Sequence, residues 1–98
     1  MTKFGELIDV NAPVLLVFFN NQDETSNSMH SIINDVASSL GTNVKVIKID
    51  VHKNLELSEA LRIKEQPTLI IYKSGLMKWR QVGMEDAKTL INRLKDYF

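Results

Sequence analysis

No cysteine occurs among the 98 residues. That excludes disulfides, thiol catalysis and thiolate metal sites. It does not establish a reducing compartment, because a chain without thiols is indifferent to redox state. Neither sign of charge is in excess, with twelve basic residues against twelve acidic ones. A neutral chain has no strong field for nucleic acid or for an anionic membrane. Long apolar runs are missing too. The longest, Ala12 to Phe19, is far too short to cross a bilayer. The N-terminal "MTKFGELIDV" lacks a signal peptide's apolar core and small-residue cleavage site, so a cytoplasmic location is the expectation. There are no repeats, low-complexity tracts or linkers. The chain, residues 1–98, is expected to be one domain.

What is present is periodicity. Phe4, Leu7 and Ile8 fall at helical spacing, and "NAP" then breaks the pattern. "VLLVFF", Val14 to Phe19, is continuously apolar, as in a strand covered on both faces. Met29, Ile32, Ile33, Val36, Ala37 and Leu40 return to helical spacing, with Gly41 as the candidate C-cap. "NVKVIKID" reads as a second strand, its Lys45 and Lys48 suited to a sheet edge. Leu55, Leu57, Ala60, Leu61 and Ile63 predict a shorter helix. "QPTLIIYKSG" and "LMKWRQVG" predict a hairpin around a Ser-Gly turn. Ala87, Leu90, Ile91, Leu94 and Phe98 mark a last helix, with Glu85 and Asp86 expected in its first turn. The order is α-β-α-β-α-β-β-α. The two β-α-β crossovers predict parallel pairs and the hairpin adds an antiparallel strand. The expected architecture is α/β: a mixed four-stranded sheet flanked by helices.

Four blocks in this order resemble the thioredoxin family over nearly the whole chain. "PVLLVFF" is similar to its central strand and "VIKIDV" to the strand after its second helix. "QPTLIIYKSG" resembles the segment with its cis-proline, and "QVG" the end of its last strand. Asp23 and Pro67 stand 44 positions apart, the family's offset between its first cysteine and that proline. The resemblance implies a thioredoxin-like three-layer fold without the family's first strand. It places the Cys-x-x-Cys slot at Asp23-Glu24-Thr25-Ser26, the buried proton-relay acid at Val17 and its companion lysine at Lys48. It also implies a cis bond before Pro67 and a peptide-binding groove formed by Phe19, Gln66, Pro67, Val82 and Gly83.

Disulfide exchange needs a low-pKa thiolate and a resolving thiol. A carboxylate at Asp23 and a hydroxyl at Ser26 supply neither. The expectation is therefore a redox-inactive member of the family, not an enzyme. It would serve as a protein- or peptide-binding or assembly module, using the old groove without cofactor or metal. Family membership alone would instead place the chain in cell redox homeostasis. Asp23 also suits a plain helix N-cap, worth on the order of 1 kcal/mol, with Glu24 favourable at the positive end of the dipole. Ser26 and His30, four apart on one helix, offer a weaker hydrolytic reading. His30 with Asp23 or Glu24 makes a poor metal set, with His52 elsewhere. Trp79 is read as cover for the sheet or the last helix, with a contact patch as the sharper alternative. The partner is expected to be an unidentified protein or peptide, and the chain a monomer or weak dimer.

Overall fold

The computed structural model describes residues 2–21 and 26–98, and side-chain surroundings from residue 4 and, after the gap, from residue 27. The elements follow as α1 (Thr2–Ile8), β1 (Val14–Phe19), α2 (Ser26–Leu40), a 3-10 turn (Gly41–Asn43), β2 (Lys45–Asp50), α3 (Leu55–Ala60), β3 (Thr68–Lys73), β4 (Leu76–Val82) and α4 (Ala87–Lys95). They build one four-stranded mixed sheet in the order β2-β1-β3-β4.

β1 is central because both of its faces are apolar. Leu15 and Val17 pack with Met29, Ile33 and Val36 of α2 and Leu90 and Leu94 of α4. Val14, Leu16 and Phe18 pack on the opposite face with Ile8, Val51 and Tyr72. Each such fully buried side chain contributes roughly 1.5–3 kcal/mol of transfer free energy. The result is three layers, with α2 and α4 over one face and α1 and α3 over the other. α2 stops at Leu40, where Gly41 takes φ 55, a left-handed conformation that glycine adopts without steric cost.

β1 and β2 run parallel, as expected for the first crossover. The second crossover departs from expectation, because β3 runs antiparallel to β1 and therefore to β2. The reason is length. A strand of six residues spans about 20 Å, and only a helix of comparable length carries the chain back to a parallel start. α2, with 15 residues, does so. α3 has six and covers about 9 Å, so the chain re-enters the sheet at the end where β2 left it. Phe18 accordingly pairs with Ile49 on one side and Thr68 on the other.

Ser74 and Gly75 both take positive φ, 53 and 82, the backbone of the tight hairpin turn between β3 and β4. The ladder shifts register between Ile71 and Tyr72, leaving Lys78 as an extra residue in β4. α4 begins two residues later than a first turn containing Glu85 would require. Asp86 is its N-cap, accepting from the Thr89 N–H at 2.7 Å, and Glu85 precedes it.

Candidate functional site

The strand register brings the residues expected to line a groove to one end of the sheet. Phe18, Thr68 and Val82 form one row across β1, β3 and β4. Phe19 follows at the tip of β1, half-buried, and its carbonyl accepts from the Val51 N–H at 3.0 Å. Its ring meets the His30 imidazole edge-on, with centroids 5.0 Å apart and planes at 76°.

The opposite wall is the segment before β3. The Gln66–Pro67 peptide bond is cis. The Pro67 carbonyl accepts from the Gly83 N–H at 2.8 Å, joining the start of β3 to the end of β4. Gly83 takes φ 95, where a side chain is strained. Thr68, fully buried, donates its hydroxyl to the Glu65 carbonyl at 2.6 Å. Gln66 is half-buried, and Val82 is 52% exposed despite being apolar. Phe19, Gln66, Pro67, Val82 and Gly83 therefore share one end of the fold.

Asp23, Glu24 and Thr25 lie outside the described residues, and with them the expected Asp23 cap of α2. Ser26 is the first residue of that helix.

His30 belongs to a packing contact. Its Nδ1 is buried and has no hydrogen-bond partner among the described residues. Burial, and then the nearby Lys48 ammonium, hold the imidazole below its ordinary pKa. A histidine that activates a serine is aligned by an acceptor on its second nitrogen. The described surroundings of His30 supply a phenyl ring instead. Nor do the described residues contain a group of three or more His, Asp or Glu placed to hold a metal ion.

Val17 has no exposed surface and sits in the core beneath α2. Lys48, its register partner on β2, donates to the Asn34 side chain at 3.2 Å. The site of the expected relay is thus a hydrocarbon contact beside a surface amine.

One group that shapes the site escapes sequence reading. The Arg80 guanidinium donates to the Leu61 carbonyl at 2.6 Å and to the Arg62 carbonyl at 2.9 Å. It ties β4 to the end of α3, where Arg62 takes φ 56, four residues before Gln66. Trp79, by contrast, performs the plain role. It is half-buried against the α2 and α4 layer, and the Arg93 guanidinium lies 4.5 Å from its ring centroid.

A three-layer domain with this strand order, and a cis peptide bond before Pro67 at the start of β3, has the architecture of a thioredoxin-like protein. Comparison with known proteins agrees. The model of the Thioredoxin family matches residues 1–96, and the chain belongs to that family. It is 31% identical over 90 residues to thioredoxin Y1 of Arabidopsis chloroplasts, covering 92% of this chain but 52% of that protein. The chain thus spans about half the length of that relative. It is 28% identical over 86 residues to a thioredoxin of Rickettsia bellii, covering 88% of this chain and 82% of that one. Among solved structures, a mutant thioredoxin from Halobacterium salinarum superposes with a TM-score of 0.87 at 25% identity, over 99% of this chain and 84% of its own. Oxidised mitochondrial thioredoxin 3 of Saccharomyces cerevisiae gives 0.84 at 20% identity, over 97% and 88%, which bears on the fold alone.

Proposed function

We propose that this chain is a redox-inactive thioredoxin-family protein that binds an extended segment of a protein or peptide in the groove between Phe19, Gln66-Pro67 and Val82-Gly83. The observation that supports the reading is that the residues proposed as the wall share one end of the sheet, on a sequence that holds no cysteine. The wall is held by the Gly83-to-Pro67 hydrogen bond at 2.8 Å and leaves the Val82 side chain exposed. Main-chain pairing gives such a site affinity, and flanking side chains give selectivity. Gln66 brings a polar amide to the position next to the proline, favouring a partner that offers it a hydrogen bond. Thiol-disulfide turnover has no chemical basis without a thiolate. No helix among the described residues is long and apolar enough to cross a membrane. A cytoplasmic setting is part of the proposal.

The test is capture of partners from cell extract by wild type and by the Gln66→Arg and Glu24→Arg variants. The groove reading expects the variants to lose specific partners that wild type retains. Retention of every specific partner by both variants rules the groove out as the interface.

A further inference from the structure

The end of the sheet opposite Phe19 and Pro67 carries a second cleft. The residues before β1, the 3-10 turn, the last residue of β3 and the turn after α4 meet there. The cleft encloses about 270 Å³. Pro13 lines it and is buried, and its carbonyl accepts from the Lys45 N–H at 3.0 Å, fixing the entry to β1 against the start of β2. Phe98 lines it from the turn after α4, where its N–H donates to the Lys95 carbonyl at 3.3 Å.

Lys73 is the one charged side chain in this lining, and it is half-buried. It donates to the Tyr97 carbonyl at 2.6 Å. That partner is a neutral dipole, so it leaves the positive charge uncancelled, and the ammonium has further N–H groups to give. Two other surface clefts hold both signs of charge, Arg93 with Asp96 on α4 and Lys53 with Glu56 at the start of α3. The cleft at Lys73 is lined by a cation and by no acidic side chain.

We propose that this cleft binds a small organic carboxylate that carries a compact apolar group, with the Lys73 ammonium as its counter-ion. A half-buried charge is costly without an opposite one, so an anion gains more at Lys73 than at a fully solvated lysine. The single cation matches a single negative charge. The Asn11 and Asn43 carboxamides and the Thr42 hydroxyl bring further donors to the same lining. Phe98 is 54% exposed, so an apolar group laid on its ring removes hydrocarbon surface from water. The volume suits a fragment, since drug-sized sites run from roughly 300 to 1,000 Å³. The site shares no residue with the proposed groove and stands or falls without it.

Benzoate is the probe, and benzamide is its uncharged counterpart. In amide NMR, benzoate should shift Ala12, Thr42, Asn43 and Lys73 saturably, with a dissociation constant on the order of 1 mM. High salt should weaken that binding. Benzamide should bind about tenfold more weakly or not at all. Lys73→Met should cost about tenfold in affinity for benzoate, whereas Lys64→Met, which removes an exposed lysine at the other end of the sheet, should cost nothing. The comparison of benzoate with benzamide is made on wild type, so it decides the matter even where Lys73→Met fails to fold. No saturable shift at these amides with benzoate up to about 20 mM overturns the proposal. So does benzamide that binds as benzoate does, or a folded Lys73→Met that binds benzoate as wild type does.

Discussion

Val17 and Lys48 are register partners across β1 and β2, one wholly buried and the other holding the Asn34 side chain at 3.2 Å. Among the described residues, no acid stands between them. A carboxylate introduced at position 17 would enter a hydrocarbon layer made by Met29, Ile33 and Leu69. Val17→Asp should therefore cost about 3 kcal/mol or more at pH 7 in urea unfolding. Burial raises the carboxyl's folded pKa above its unfolded value, so the deficit should shrink as pH falls toward about 4. A deficit that does not change with pH would contradict this account.

His30 should titrate below pH 6.5 by NMR, because burial and then Lys48 disfavour its charged form. The unfolded chain takes up the proton first as pH falls. The histidine therefore costs the fold stability as pH drops from the unfolded value toward the lower folded one, and nothing above that window. Lys48→Met should move the His30 titration upward. An unchanged or lower value would show that the lysine plays no part.

Disulfide reductase assays should give no turnover for the wild-type chain. The double variant Asp23→Cys with Ser26→Cys should gain turnover that neither single variant shows, because only the pair supplies both a nucleophilic and a resolving thiol. Turnover by contaminant-free wild type would overturn the redox-inactive reading.

Asp86→Ala should lower the thermal midpoint by roughly a few degrees, through loss of the acceptor at the Thr89 N–H. The same hydrogen bond holds the Asp86 pKa below its ordinary value. Its contribution is therefore present above the unfolded carboxyl pKa and lost as pH falls through the folded one. Wild type and Asp86→Ala should converge in strong acid, and a constant gap there would refute the assignment.

Much of the fold is legible in the residues themselves. β1 announces itself because both its faces are apolar, and the Ser74-Gly75 turn because few residues take positive φ there. The direction of β3 is not legible from apolar spacing. It follows from the length of α3, and helix ends are the least certain part of any pattern. Leu55 shows a second limit. It lies two residues before Leu57, about 200° around a helix, so the two cannot share a face, and Leu55 is 60% exposed. Phe19, Pro67 and Gly83 are assigned to a groove through the resemblance to the thioredoxin family, and the strand register sets them at one end of the sheet. The Arg80 contact is not legible, since its acceptors are backbone carbonyls that carry no sequence signature.

The two ties from β4, at Arg80 and Gly83, hold the same connection from either side of Gln66. Arg80→Met should therefore speed amide exchange at Arg62 and Ile63 several-fold while leaving α2 protected. Equal protection in both proteins would mean that the guanidinium is ornamental. The wider consequence concerns cooperativity. An edge strand is where a sheet opens first, yet this one anchors the connection that carries Gln66 and Pro67. Peeling β4 away should release the Gln66–Pro67 segment in the same event, so on the proposed reading whatever clamps that strand shut would also tighten the grip on a bound peptide, and whatever loosens it would let the peptide go.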